Sequence, residues 1–303
     1  MNWRDLLTMG LLGAIWGGSF LFLKIVAPAL GPLAVAALRV TGAALVLVPI
    51  VAWQGQWRAL RPVWPTVLVA SLMSCVLPFI GLSWAAQRLP AGPLSILNAT
   101  TPMWGALVAW LWTREPLGRL RLLGLLMGFG GVAWLALHRV PGELTLDPWS
   151  VAAALASTLM YAVAVHHSKR HLSGMPPLAL SAGLLGGAAS TLLWPALWIG
   201  PQPLDSVHTP AEWSHVAWPV WTALGALSVF CTGWAYAIFY RLIERVGPSR
   251  ALNVTFLIPP FGMLWGWLWL DEAITGTMLA CAAVIVAGTF LSSLNPEAHS
   301  KKP

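Results

Sequence analysis

Residues 102–115 read PMWGALVAWLWTRE, and residues 259–272 read PPFGMLWGWLWLDE. At this offset of 157, Pro102, Gly105, Leu107, Trp110, Leu111, Trp112 and Glu115 fall on Pro259, Gly262, Leu264, Trp267, Leu268, Trp269 and Glu272, and Gly131 falls on Gly288. Leu- and Ala-rich sequence matches itself by chance; Pro, Trp and Glu in one register rarely do. Upstream, an offset of 145 sets Lys24, Pro32, Leu33, Gly42, Ala43 and Ala44 on Lys169, Pro177, Leu178, Gly187, Ala188 and Ala189. The 12-residue difference between the registers fits into a longer connection at 200–216. The chain therefore reads as one unit written twice, residues 1–140 and 146–294, with a tail at 295–303.

Composition says what kind of unit this is. Of 303 residues, 58% are apolar and 9% charged, and mean hydropathy is +0.73. Soluble domains carry about 25% charged residues, so an ordinary soluble enzyme, a nucleic-acid-binding module and a disordered chain are excluded. A bilayer-crossing helix needs about 20 mostly apolar residues. By that measure ten spans are expected, at 5–27, 33–53, 65–87, 92–112, 119–138, 149–168, 177–199, 217–241, 249–270 and 274–293. The expected fold is an all-α polytopic membrane protein. Five spans per copy is odd, so the second copy enters the membrane upside down, giving two inverted five-helix repeats. Inverted repeats are the architecture of alternating-access carriers, with the binding site near the midplane where the repeats meet.

The net charge of +7 reports orientation rather than a partner. Thirteen of the 17 Lys and Arg residues, from Arg4, Arg58 and Arg61 to Lys301 and Lys302, fall on the side that holds both termini. Cationic loops face the cytoplasm. Both termini are therefore expected there, in a multi-pass plasma membrane protein of the bacterial inner-membrane kind, with no nucleic-acid partner. Most of the 20 Trp residues stand at span ends, as an interfacial belt does; Trp16, Trp104 and Trp234 lie nearer mid-span. Cys75, Cys231 and Cys281 sit in apolar runs without metal-ligand or disulfide spacing, and neither a metal nor a cofactor is expected. The first apolar stretch, Leu6 to about Ala27, exceeds the roughly 7–15 residues of a cleavable signal core.

The run Trp16-Gly17-Gly18-Ser19-Phe20, followed by Lys24, Pro32 and Arg39, resembles the start of an EamA-type unit of the drug/metabolite transporter superfamily. So does Pro102…Leu111…Glu115-Pro116-Leu117…Gly124…Gly128…Gly131, repeated from Pro259 to Glu272 and Gly288. The resemblance covers essentially the whole chain. The second copy departs from it: Leu184 stands where Arg39 would, and Tyr161 where Trp16 would, which points to unequal duties for the halves. The resemblance implies a ten-helix metabolite carrier with a central cavity, often an exporter of amino acids. Within that family the sequence looks most like the aromatic amino acid exporters.

Mid-span prolines Pro78, Pro102, Pro259 and Pro260 each free a carbonyl one turn earlier and kink the helix, so they are expected hinges. Near the kinks lie Asn98, Thr100, Thr101, Asn253 and Thr255. The threonines either satisfy freed backbone groups or line a wet cavity; Asn98 and Asn253, costlier to bury, are expected to line it. Cys75, Phe79 and Ser83 share one helix face, and their partners at the offset of 157 are Thr232, Tyr236 and Tyr240. Phe79 and Tyr236, with Trp16 and Tyr161, either clasp a planar side chain or pack as core aromatics. The expected substrate-binding residues are thus Trp16, Phe79, Asn98, Thr101, Tyr161, Tyr236 and Asn253. Lys24 and Arg39 add basic groups within the spans. Lys24 either snorkels to the interface or, like Arg39, binds a carboxylate or gates; Arg39, deeper, binds a carboxylate, gates, or holds backbone carbonyls.

All ten carboxylates lie in loops or at span ends, whereas proton-coupled carriers keep an ionisable group within the membrane. His166, His167 and His171 cluster at the end of span 6, as interfacial histidines do. No nucleophile–base pair, acidic motif or metal set points to a catalyst. The expected function is facilitated export of aromatic and other apolar amino acids. A carrier for another small metabolite or lipophilic drug is the alternative, and a polytopic membrane enzyme the alternative of another class. The expected partners are the substrate and the lipid bilayer. The oligomeric state is open, and a monomer is compatible with the reading.

Overall fold

Helix α1, Trp3–Trp53, has 51 residues, roughly 75 Å of rise if straight against a hydrocarbon core of about 30 Å. It is not straight. In the structure, a computed structural model of the chain that describes residues 2–113, 118–137, 146–204, 212–246 and 251–293, Gly31 takes φ 77° and ψ 164°. Only glycine enters that region without strain, and the turn splits the stretch into arms of 3–30 and 32–53. The sequence reads as a loop at 28–32; the chain instead bends within one continuous run. Pro32 has no N–H for the Pro28 carbonyl, so Leu204 donates to it at 2.9 Å, and Gln202 donates to the Leu30 carbonyl at 3.0 Å. The segment after α8 (Pro177–Ile199) thereby closes the bend. A Cβ on Gly31 would lie 2.5 Å from the Gln202 carbonyl oxygen.

The internal register reappears in the irregularities. Helices α2 (Trp64–Ser71) and α3 (Leu77–Ala86) join through a π-helical turn, Leu72–Val76. Helices α9 (Trp218–Gly225) and α10 (Ala235–Val246) join through a longer π-helical segment, Ala226–Trp234. Shifted by 157, the first turn falls inside the second. Pro78, the second residue of α3, denies the Ser74 carbonyl its usual donor, which widens the turn before it.

Helix α4 (Ala91–Asn98) breaks before α5 (Thr101–Thr113), and a 3₁₀ turn, Leu252–Leu257, precedes α11 (Ile258–Leu270). Helices α5 and α11 are both 13 residues long, start 157 positions apart, and carry Pro102 and Pro259 at the second position. Pro260 follows at once. Three threonine hydroxyls satisfy carbonyls at the α4–α5 break: Thr100 donates to Leu97, Thr101 to Asn98, and Thr289 to Ala99. Pro102 is the reason the Asn98 carbonyl is free.

Glu272 and Asp147 each cap a helix. Glu272 accepts from the backbone N–H of Ala91 at 2.7 Å and of Gly92 at 3.1 Å, satisfying orphan donors at the positive end of α4. Its partner in the register, Glu115, lies outside the described residues. Asp147 precedes α7 (Pro148–His171) and accepts from the Ser150 N–H at 2.8 Å and the Ser150 hydroxyl at 2.6 Å. The Ser150 hydroxyl bond, with the backbone bond and the Arg88 charge, holds the Asp147 carboxyl below its ordinary value of 3.8.

Helix α1 packs against α3, α8, α9, α10 and α11, while α7 packs against α3 and α5. Helices α6 (Arg119–Leu137) and α12 (Gly276–Ser293) cross on glycine, as membrane helices do. A Cβ on Gly288 would lie 2.6 Å from the Gly128 nitrogen and 2.7 Å from the Gly124 oxygen. Every regular element among the described residues is helical. Among the described residues, seven helical stretches are long and apolar enough to cross a bilayer, and two shorter apolar ones, Val254–Leu270 and Gly276–Ser292, follow. Trp53 and Trp198 are each 92% exposed. Apolar surface of that extent suits lipid and not water.

Candidate functional site

A cavity of about 260 Å³ opens where the two copies meet. Helix α1 contributes Trp16, Ser19, Phe20, Leu23 and Arg39; α3 contributes Phe79 and Leu82; the α4–α5 break contributes Asn98 and Thr101. From the second copy come Tyr161 of α7, Tyr236 and Phe239 of α10, Thr255 of the 3₁₀ turn and Ile258 of α11. The breaks and the chemistry therefore coincide, because an interrupted helix is where polar backbone and side chains can face a cavity instead of lipid. Two larger hollows, of about 690 and 460 Å³, have aliphatic and aromatic linings without a charged or amide group among the described residues. Leu11, Phe230 and Trp269 of the first are more than half exposed, so it is a groove on the outer face.

Arg39 is 8% exposed. Its Nε–H donates to Thr232 Oγ1 at 3.0 Å, and its guanidinium carbon lies 4.1 Å from the centre of the Phe79 ring. A buried arginine inside a membrane protein is expensive unless something compensates it. Cation–π contact supplies part of this, about 2 kcal/mol when desolvated. Among the described residues no carboxylate pairs with it.

Aromatic rings surround the rest of the space. Tyr161 meets Phe79 edge-on with centroids 6.4 Å apart. Trp16 meets Tyr236 at 6.4 Å and Phe239 at 5.0 Å, both edge-on. Neither the Asn98 carboxamide nor the Tyr161 hydroxyl hydrogen-bonds to protein among the described residues. Arg39, Tyr161 and Asn98 thus bring a cation, a hydroxyl and an amide to the lining of a slot walled by rings.

Of the residues expected from sequence, Trp16, Arg39, Phe79, Asn98, Thr101, Tyr161 and Tyr236 all line the cavity. Thr101 also satisfies the backbone, so both readings of it hold. Lys24 is half-buried and does not line the cavity. Asn253 belongs to the 3₁₀ turn, and its side chain, like that of Tyr240, lies outside the described part, as does the tail at 295–303. Pro78, Pro102, Pro259 and Pro260 all stand at helix starts just past an irregular turn. Sequence reasoning missed Phe20, Leu23, Ser19, Leu82, Phe239 and Ile258 as lining residues. The signal for the first two was present: they follow Trp16 at i+4 and i+7, on one helix face. Cys75, Cys231 and Cys281 are buried free thiols. The His167 and His171 rings lie 4.5 Å apart, and no group of three or more metal-ligating side chains occurs among the described residues.

The comparisons with known proteins agree with this architecture. The pattern of the EamA-like transporter family matches residues 4–137 and again 148–294, so the chain belongs to that family, whose members are membrane transporters and not enzymes. The transporter YvbV of Bacillus subtilis (strain 168) is 26% identical over 297 residues, covering 98% of this chain and 93% of YvbV. The inner membrane transporter YedA of Escherichia coli (strain K12) is 23% identical, covering 100% and 96%. A relative from Streptantibioticus cattleyicolor, described as a "Probable terminal-alkyne amino-acid exporter", is 24% identical over 69% of this chain and 66% of its own. One solved crystal structure superimposes over 100% of both chains with a TM-score of 0.63 at 18% identity, a likeness of fold alone.

Proposed function

We propose that the chain is an alternating-access exporter of amino acids, chiefly aromatic and other apolar ones, working by facilitated transport through the cavity above. The observation that carries this is Arg39, a buried cation with no carboxylate paired to it among the described residues, at the edge of a slot walled by aromatic rings. A ligand that brings its own carboxylate compensates the charge. A planar side chain then fills the slot, where edge-on and offset contacts contribute about 0.5–1.5 kcal/mol per ring. Asn98 and Tyr161 offer hydrogen bonds to the ammonium or carboxylate. Size agrees: about 260 Å³ is below the roughly 300–1,000 Å³ of sites for drug-sized ligands. The S. cattleyicolor relative's description as an amino-acid exporter supports the same substrate class.

The transport mode follows from symmetry and charge. Matched π-helical turns, matched proline starts and the α6–α12 glycine crossing support two inverted five-helix repeats, hence ten crossings and two related access states. None of the lining residues among those described is a carboxylate or a histidine, which supports transport without obligatory proton coupling. The basic loops support cytoplasmic termini in a bacterial inner membrane, and the site lies within one chain, so a monomer suffices. The test is counterflow of labelled phenylalanine into proteoliposomes. Asn98→Ala and Tyr236→Ala should each impair flux while inserting normally; wild-type flux in both would remove the site assignment.

A further inference from the structure

We propose that Thr232 is a positioning residue for the substrate carboxylate: it holds the Arg39 guanidinium so that the two terminal nitrogens, and not the Nε edge, face the cavity. The inference rests on the amino-acid reading above and deepens it. Thr232 is fully buried in the π-helical segment Ala226–Trp234. Its hydroxyl donates to the Leu227 carbonyl, five residues back, at 2.9 Å. A hydroxyl has one proton. With that proton committed, only lone pairs are left for Arg39, and the Nε–H takes one at 3.0 Å.

Phe79 covers one face of the guanidinium at 4.1 Å. The Nε edge is thus occupied and one face is stacked. What is left is the outer fork, with four N–H groups on two nitrogens, whose spacing fits both oxygens of a carboxylate. A fork fixed before the ligand arrives loses less freedom when it binds.

The π-helical turn is what makes this arrangement. A serine or threonine in an α-helix returns its proton three or four residues back, as Ser157 of α7 does to the Ala153 carbonyl at 2.8 Å. Thr232 reaches a residue further. In the register of 157 its counterpart is Cys75, in the π-helical turn Leu72–Val76, and a thiol is a weak hydrogen-bonding group. In the register of 145 the counterpart of Arg39 is Leu184. One copy has kept the cation and the other its hydroxyl, so the two parts meet only across the join. That division gives the inequality of the copies a physical reason.

The test uses the full chain in proteoliposomes and two competitors of labelled phenylalanine counterflow: phenylalanine, and phenylalaninamide, which has the same ring and ammonium but no carboxylate. Thr232→Val keeps the side-chain volume and removes the hydroxyl. It should weaken competition by phenylalanine about tenfold, the scale of one hydrogen bond to a charged group, and leave phenylalaninamide unchanged. Thr232→Ser should restore the wild-type ratio. Thr232→Cys, which copies Cys75, should fall between and serves if the valine variant does not insert. Equal losses for both competitors, no loss for either, or a serine variant that behaves like valine overturns the positioning role. A wild-type protein that does not distinguish phenylalanine from its amide overturns the carboxylate reading itself, and the role of Thr232 with it.

Discussion

The guanidinium carbon of Arg39 lies 4.1 Å from the centre of the Phe79 ring, so the buried cation and the aromatic slot share one wall. In the proposed function, charge and ring recognition are therefore coupled at Arg39. Arg39→Gln should reduce the apparent affinity for phenylalanine by at least about thirtyfold, near 2 kcal/mol, as expected for losing one partner of a buried charge pair. Arg39→Lys keeps the charge but has no fork and no Nε–H for Thr232, so it should recover only part of the loss. Competition curves in counterflow measure both.

Tyr161 touches Phe79 with its ring and leaves its hydroxyl without a protein partner among the described residues. Tyr161→Phe should therefore leave the melting temperature in detergent unchanged. Apparent affinity should drop roughly fivefold, about 1 kcal/mol for one neutral hydrogen bond. A lower melting temperature with unchanged affinity would make the hydroxyl structural.

Glu272 holds the Ala91 and Gly92 N–H groups at the start of α4, the helix that ends at Asn98. Glu272→Ala leaves two donors unsatisfied and should cost about 1–3 kcal/mol. Glu272→Gln keeps an acceptor and loses the charge at the helix dipole, so its loss should be smaller. Thermal unfolding in detergent reads the order, wild type above Gln above Ala.

Asp147 caps α7 through Ser150, and Asp147→Ala should cost about 1 kcal/mol, as N-cap removal does. The sign of the pH dependence follows from the depressed carboxyl. A group whose folded pKa lies below its unfolded value of 3.8 stabilises above that pH and loses its contribution as pH falls through the folded value. The gap in melting temperature between wild type and Asp147→Ala should stay constant from neutral pH down to the unfolded value of 3.8, then close in stronger acid.

Much of this arrangement could be read from residues alone, for a physical reason. Lipid tolerates so few polar groups that Arg39, Asn98 and Tyr161 stand out in an apolar sequence, and all three line the cavity. Pro102 and Pro259, expected as mid-span hinges, stand instead at the starts of α5 and α11, because a missing N–H interrupts any helix. The partners across the join were another matter. Arg39 and Thr232 are 193 residues apart, and the register relates copies to each other without saying which helices touch. Glu272 matched Glu115 in the sequence, yet nothing there indicated Ala91, 181 residues away. Gly31 sat between two prolines in a stretch that reads as a loop, and its bend is set by Gln202 and Leu204 from a distant segment.

The central claim is that this cavity carries an amino acid down its own gradient. Proteoliposomes loaded in turn with unlabelled phenylalanine, tryptophan, methionine and threonine, then given the labelled counterpart with and without an imposed pH gradient, test it most directly. The expected result is saturable counterflow, strongest for the aromatic pair and unchanged by the gradient. Absence of counterflow for all four, or counterflow only under the gradient, would contradict it.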